Sequence, residues 1–126
     1  MSESTKTCIA VIEDDEGLRR SLARLLRAAG YHPVMYQSAE EFLNDEKHPV
    51  FDCLLVDVQL DGMSGIELSE QLAVSGSMTP LIFLTAHDEF EVLRQTIRAP
   101  FAGFLKKNEP SAAVFAAIDK AIHVGC

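Results

Sequence analysis

Polar side chains follow four of the five apolar runs in this chain, where buried strands would end. Glu13 and Asp14 come after the first run, Asp57 ends the third, Thr85 ends the fourth and Lys107 follows the fifth. Carboxylates gathered at one edge of a sheet repel one another unless a cation neutralises them. Mg²⁺ suits such hard oxygen ligands, and a lysine and a hydroxyl opposite them could hold a phosphoryl group. The pattern predicts metal-assisted phosphoryl transfer to a carboxylate.

Each of these residues also has a purely structural explanation. Acidic residues after a strand often only begin a helix, where the helix dipole favours negative charge. Asp57 and Thr85 could be turn or capping residues, and Lys107 could be a solvated surface lysine. The functional interpretation depends on their occurrence together, in order, in one small domain.

The elements that must position these residues are predicted by apolar periodicity. Short apolar runs alternate with amphipathic segments, as in a parallel sheet covered by helices. Capping boxes at Ser38 and Ser64 predict the starts of the second and third helices. Asp88 can cap a fourth helix that ends near Ala99, before Pro100. The strands are predicted at residues 8–12, 33–36, 53–56, 81–84 and 103–105.

Five strand–helix units without a linker or repeat predict one α/β domain, a doubly wound parallel sheet of five strands flanked by five helices. The last helix is predicted from near Pro110 to His123, with Phe115, Ile118 and Ile122 facing inward. We assign residues 1–126 to this single domain and expect residues 1–6 to form a flexible tail.

Composition limits the kinds of function. The 126 residues carry a net charge of −8, so we expect no nucleic-acid contact by this domain. No apolar run approaches the roughly 20 residues that span a bilayer, and the start lacks the apolar region of a secretory signal. Cys8, Cys53 and Cys126 have neither metal-binding spacing nor a disulfide framework. We therefore expect a cytoplasmic protein without membrane contact.

Four segments resemble the response-regulator receiver family of two-component signalling, across nearly the whole chain. They are residues 11–16 (VIEDDE), 57–65 (DVQLDGMSG), 84–86 (LTA) and 103–107 (GFLKK). The resemblance implies a flavodoxin-like fold with strand order 2-1-3-4-5. Residues 37–43 are similar to the branch whose outputs are often helix-turn-helix transcription domains.

The resemblance also implies a phosphoacceptor and a metal site. Asp57 would attack the phosphorus of a phosphohistidine on a sensor histidine kinase or phosphotransfer protein, forming an acyl phosphate. Mg²⁺ would be held by Glu13, Asp14, Asp57 and the backbone carbonyl of Gln59. The chain would catalyse only its own phosphorylation and dephosphorylation, and would not be an enzyme for an external substrate.

The phosphate contacts and the switch follow from the same resemblance. Lys107, which lies three residues beyond Phe104, aligns with the phosphate-binding lysine, so Lys106 should point to the opposite side of the strand. Thr85 and the backbone N–H of Ala86 would bond the phosphoryl oxygens. Thr85 would then move, letting Phe104 turn inward and altering the face of the fourth helix, fifth strand and last helix, a possible homodimer interface. Plain core packing is the alternative for Phe104.

Three positions depart from the family pattern. Asn108 replaces the proline that usually follows the lysine through a cis bond; because a cis bond without proline costs about 3–4 kcal/mol, we expect a trans Lys107–Asn108 bond. Pro100 and Phe101 replace a common Gly-Ala pair, and Phe101 could either fill the core or alter the output face. Asp61 replaces a common proline and adds negative charge near the acids.

Three other functions fit parts of the pattern. An aspartate-nucleophile phosphohydrolase would need a second aspartate two residues after Asp57, where Gln59 cannot transfer a proton in that way. A flavin-binding module would need a phosphate cradle after the first strand, where residues 13–16 are all acidic. A degenerate receiver that acts as a phosphorylation-independent docking module stays open, because of Asn108 and the Pro100-Phe101 pair.

Overall fold

The computed structural model describes residues 7–86 and 94–123, and their secondary structure alternates between strands and helices. None of the helices in these two ranges is long and apolar enough to cross a membrane. The elements are β1 (Cys8–Ile12), α1 (Glu16–Ala28), β2 (His32–Tyr36), α2 (Ala39–Asn44), β3 (Cys53–Asp57), α3 (Gly65–Val74), β4 (Leu81–Thr85), β5 (Gly103–Lys106) and α4 (Ser111–His123).

The five strands form one parallel sheet in the order β2-β1-β3-β4-β5. The predicted flavodoxin-like fold is therefore confirmed. Every residue of β3 and β4 is buried, because helices cover both faces of the sheet, and such strands are continuous apolar runs rather than alternating ones. Pro33 lies in the edge strand β2, where a missing backbone donor is tolerated.

Apolar side chains form one core cluster on each face of the sheet. Successive residues of a strand point to opposite faces, so in β3 Leu54 belongs to one cluster and Leu55 to the other. In α4, Ile118 is fully buried as predicted, whereas Phe115 and Ile122 are half-buried at the margin. Apolar side chains therefore pack against both faces of the sheet and hold the carboxyl ends of its strands in place.

Serine side chains begin both predicted helices, but only one capping box is complete. In α3, the Ser64 hydroxyl accepts the Glu67 N–H at 3.1 Å and the Glu67 carboxylate accepts the Ser64 N–H at 2.9 Å. In α2, the Ser38 hydroxyl accepts the Glu41 N–H at 3.0 Å, but the Glu41 carboxylate accepts the N–H of Gln37, at 2.7 Å. The predicted reciprocal bond from the Ser38 N–H to Glu41 is therefore wrong, because the N–H of the preceding residue, Gln37, takes its place.

The first part of the fourth predicted helix, with its cap Asp88, falls on residues 87–93, which lie outside the described residues. The predicted tail at 1–6 and Cys126 also lie outside them. After residue 93 the backbone is helical only at Arg94, so the predicted end near Ala99 is wrong. The Ile97 N–H donates to the Arg94 carbonyl at 3.4 Å in a turn, and the Ile97 side chain packs on the core. Pro100 disfavours helical backbone at the residue before it, so it sets only an outer limit and does not fix where a helix that ends earlier stops.

Candidate functional site

The carboxyl ends of the strands bring the predicted residues to one edge of the sheet. Asp57 is the last residue of β3, Glu13 follows β1, Thr85 ends β4 and Lys107 follows β5. Glu13, Asp57 and Thr85 are only 0%, 2% and 1% exposed. Four exposed acidic residues, here called the acidic rim, follow β1 and β3; they are Asp14, Asp15, Glu16 and Asp61.

Three carboxylates form an acid cluster at this edge. Glu13, Asp14 and Asp57 each place a carboxylate oxygen within 4.8 Å of the others. The Glu13 Oε2 atom accepts the Asp15 N–H at 3.0 Å, whereas its buried Oε1 accepts no hydrogen bond within the described ranges and has the Lys107 ammonium, at 3.4 Å, as an ion-pair partner. Clustered carboxylate oxygens of this kind fit a hard divalent cation.

Lys107 pairs with two members of the acid cluster. Its Nζ lies 2.8 Å from Asp57 Oδ2 and 3.4 Å from Glu13 Oε1. The described residues contain no cis peptide bond, so the Lys107–Asn108 bond is trans, as predicted. Lys106 is exposed and pairs in register with Thr85. The lysine thus reaches Asp57 without the proline that is usual in the family.

Burial and pairing shift two pKa values in the site. Burial, and then the charge of Asp57, raises the pKa of Glu13 from 4.5 to about 7, against the opposing effects of the Asp15 N–H and Lys107. Burial alone would lower the pKa of Lys107, but its contacts with Asp57 and Glu13 outweigh burial and raise it. Lys107 is therefore a permanent cation, whereas the charge of Glu13 changes near neutral pH.

The groups beside the acceptor include an unsatisfied hydroxyl. The Thr85 Oγ1 atom is buried and has no hydrogen-bond partner within the described residues. Ala86 is exposed directly after β4, and the N–H of the exposed Gln59 donates to Asp57 Oδ1 at 3.0 Å. The structure thus places the Gln59 N–H on Asp57, and Thr85 and Ala86 at the end of the neighbouring strand β4.

Phe104 belongs to a group of three aromatic rings below the site. Its ring centroid lies 5.5 Å from that of Phe83 and 4.9 Å from that of Phe101, and Phe83 and Phe101 are 5.7 Å apart. Phe83 is fully buried, whereas Phe101 and Phe104 are half-buried and pack against the core. Phe101 therefore fills the core margin, and Phe104 packs there in this conformation.

Two residues that sequence reasoning gave no role also shape the site. The Arg19 guanidinium donates to the Glu13 carbonyl at 2.8 Å. Gly65 begins α3, and a Cβ atom there would lie 2.1 Å from the Asp57 carbonyl oxygen. A signal for Gly65 exists in the sequence, because glycine is a poor helix former at the start of an otherwise regular helix. No comparable signal distinguishes Arg19 from the other arginines of α1.

Sequence comparisons identify relatives of this chain. The family model for the response regulator receiver domain matches residues 9–119. Nodulation protein W of Bradyrhizobium diazoefficiens is 36% identical over 104 residues, which cover 82% of this chain and 46% of that protein. The transcriptional regulatory protein FixJ of Azorhizobium caulinodans is 33% identical over 110 residues, covering 87% of this chain and 52% of that protein. The chain thus spans about half the length of these relatives.

Comparisons with solved structures agree with the sequence comparisons. The FixJ-N crystal structure superposes with a TM-score of 0.85 at 27% identity, covering 98% of this chain and 99% of that one. Full-length FixJ from B. japonicum gives a TM-score of 0.85 at 31% identity, covering 94% of this chain and 59% of that one. With the fold, the acid cluster and the extent of the family match, the chain belongs to the response regulator receiver domain family.

Proposed function

We propose that this receiver domain accepts a phosphoryl group on Asp57 from the phosphohistidine of a sensor histidine kinase or phosphotransfer protein. One observation carries the proposal: the buried Asp57 carboxylate lies 2.8 Å from the Lys107 ammonium and is grouped with Glu13 and Asp14. An Asp57 oxygen attacks phosphorus, the P–N bond breaks, and its electron pair leaves with the imidazole ring. The carboxylate needs no base to activate it.

Mg²⁺ is the cofactor proposed for the transfer. Glu13, Asp14 and Asp57 would hold it through carboxylate oxygens and Gln59 through its backbone carbonyl. When bound, the ion neutralises charge that accumulates on the transferring oxygens. Support comes from the donor set, which consists of oxygens alone, and from the buried Glu13 Oε1, which accepts no hydrogen bond from the described residues and is paired with Lys107 only at 3.4 Å.

Lys107, Thr85 and Ala86 are the proposed phosphate contacts. The Lys107 ammonium pairs with a phosphoryl oxygen, while the Thr85 hydroxyl and the Ala86 N–H donate to the others. Charge-assisted hydrogen bonds of this kind are about twice as strong as neutral ones. The unsatisfied buried hydroxyl of Thr85 supports its role, because a phosphoryl oxygen would supply the missing partner.

The proposed switch links Thr85 to Phe104. Movement of Thr85 towards the phosphoryl group frees space for Phe104, which is half-buried against Phe83 and Phe101 and can change the surface beside β5 and α4 when it moves. That surface is the proposed contact in a homodimer of phosphorylated chains. We also propose that the protein acts in the cytoplasm, as predicted from the sequence.

Intact-mass analysis tests the acceptor. The chain is incubated with Mg²⁺ and acetyl phosphate beside an Asp57→Asn variant and an Asp119→Asn control, which removes an exposed aspartate on α4. We expect one phosphoryl group on the wild type and the control, none on Asp57→Asn, and none after chelation. A folded wild type that gains no phosphoryl group from acetyl phosphate or from a phosphorylated histidine phosphotransfer protein would contradict the proposal and favour a phosphorylation-independent docking module.

A further inference from the structure

The loop between β3 and α3, residues 58–64, donates hydrogen bonds to carboxylates from three places in the chain: the end of β3, the loop after β1, and α2. The backbone N–H groups of alternate loop residues each donate to one carboxylate. The pairs are Gln59 to Asp57 at 3.0 Å, Asp61 to Asp14 at 3.4 Å and Met63 to Glu40 at 2.8 Å. The loop that carries Gln59 is therefore tied to the acid cluster at two points and to α2 at a third.

Glu40 differs from the other two carboxylates because it lies outside the acid cluster. Asp14 and Asp57 would turn their oxygens towards a bound cation, which competes with the loop N–H groups for the same lone pairs. The hydrogen bond from the Met63 N–H lowers the pKa of Glu40, so its carboxylate is ionised at neutral pH. Of the three contacts, we therefore expect the one from Glu40 to be the least affected by metal binding, because Glu40 lies outside the acid cluster.

The backbone of the loop is also shaped around Glu40. Gly62 has φ +76°, and a Cβ atom there would lie 2.6 Å from the Glu40 Oε2 atom. The positive φ favours glycine, whereas the close approach alone could be relieved by movement of the flexible Glu40 side chain. The backbone of Glu40 is held because Ser38 caps the start of α2 and Phe42 is buried in the core, while the Glu40 side chain is exposed. The contact therefore joins a loop to an anchored helix.

We propose that Glu40 is a positioning residue for the metal site: it holds the loop in place, and with it the Gln59 carbonyl, when Asp14 and Asp57 bind the cation. This inference rests on the proposed function, because it presupposes Mg²⁺ at the acid cluster. Glu40 touches no reacting atom and acts through the backbone at Met63.

Titration calorimetry with Mg²⁺ tests the proposal on wild type, Glu40→Ala, Glu40→Gln and Glu46→Ala. We expect the Mg²⁺ dissociation constant of Glu40→Ala to rise about three- to tenfold, the effect of one lost hydrogen bond. Glu40→Gln keeps an acceptor oxygen and should recover most of the affinity. Glu46→Ala removes an equal charge from a nearby exposed position and should bind as the wild type does.

Amide hydrogen exchange at Met63, measured by NMR without Mg²⁺, gives a second readout. Exchange should accelerate in Glu40→Ala and stay close to wild type in Glu46→Ala. If the wild type binds Mg²⁺ and Glu40→Ala binds it equally well, the positioning role is wrong and the proposed function stands. If the folded wild type binds no Mg²⁺ at all, the proposed function fails instead, whatever the exchange rate at Met63.

Discussion

Glu13 combines full burial with a place in the acid cluster, and its charge therefore responds to pH. Its pKa is raised from 4.5 to about 7, first by burial and then by Asp57. Because the folded pKa exceeds the unfolded one, Glu13 stabilises the metal-free fold fully below about 4.5, and this contribution is lost as pH rises through about 7. A cation requires the ionised carboxylate, so metal binding has the opposite pH dependence.

We expect the Mg²⁺ affinity of the wild type to rise between about pH 5 and pH 7, by up to about tenfold per pH unit, since binding displaces one proton from Glu13. Glu13→Gln preserves the size of the side chain but cannot titrate, so it should bind more weakly at high pH and show a nearly flat profile. Calorimetric titrations across this pH range measure the Mg²⁺ affinity of the wild type and of Glu13→Gln. An equally steep profile in Glu13→Gln would assign the titration to another group.

Individual site residues could be predicted from sequence only where their position along the chain is informative. Lys107 is preferred to Lys106 because of its spacing from Phe104, and the ion pair with Asp57 agrees with that choice. Glu40 gave no such signal, because its contact with Met63 spans 23 residues of sequence. A carboxylate on an exposed helix face looks solvated until the packing of the neighbouring loop is known.

The junction of β3 and α3 is the most constrained part of the secondary structure around the site. Gly65 is buried at the first position of α3, and its N–H donates to the Val58 carbonyl at 3.0 Å. A methyl group at Gly65 would overlap the Asp57 carbonyl oxygen, at 2.1 Å. Because this oxygen belongs to the backbone, it cannot move aside as the end of a flexible side chain can. Any residue larger than glycine must therefore displace either α3 or β3.

Gly65→Ala should destabilise the fold by about 1–3 kcal/mol, the usual cost of an overpacked site, and slow phosphorylation of Asp57. Gly103→Ala in β5 is the matched control, because nothing lies within 4 Å of a Cβ atom there. Urea unfolding monitored by circular dichroism measures both variants. A Gly65→Ala protein as stable as Gly103→Ala would mean that the junction relaxes at little cost.

Elements were predicted well where local chemistry decides them. The complete capping box fixes the start of α3 at Ser64, and apolar runs locate all five strands. The errors arise where a local signal leaves more than one outcome open. Pro100 sets only an outer limit to the preceding helix, and the helical backbone ends at Arg94 rather than near Ala99. The Glu41 carboxylate can reach two neighbouring N–H groups, and it bonds to Gln37 instead of completing a box with Ser38.

At the scale of the whole molecule, periodicity establishes a layered α/β domain but not the order of its strands. The five runs are of similar length and, apart from Pro33, which suits an edge strand, nothing in a run itself says which strand is its neighbour. The order β2-β1-β3-β4-β5 came from the family resemblance and is confirmed. That order puts β3, with Asp57 at its end, at the centre of the sheet between β1 and β4.

The acidic rim has a kinetic consequence for any donor that arrives by diffusion. The four exposed acids of the rim follow the two strands β1 and β3 on a molecule of net charge −8, so we expect free anionic donors to be repelled on approach. Raising the salt from about 0.01 to 0.1 M shortens the screening length from roughly 30 to 10 Å. The initial rate with acetyl phosphate, measured at saturating Mg²⁺, should therefore increase with salt, and a decrease would show that local cations dominate the encounter. A protein donor that docks on other surfaces escapes this repulsion, so the rim favours a bound partner over small phosphate esters in solution.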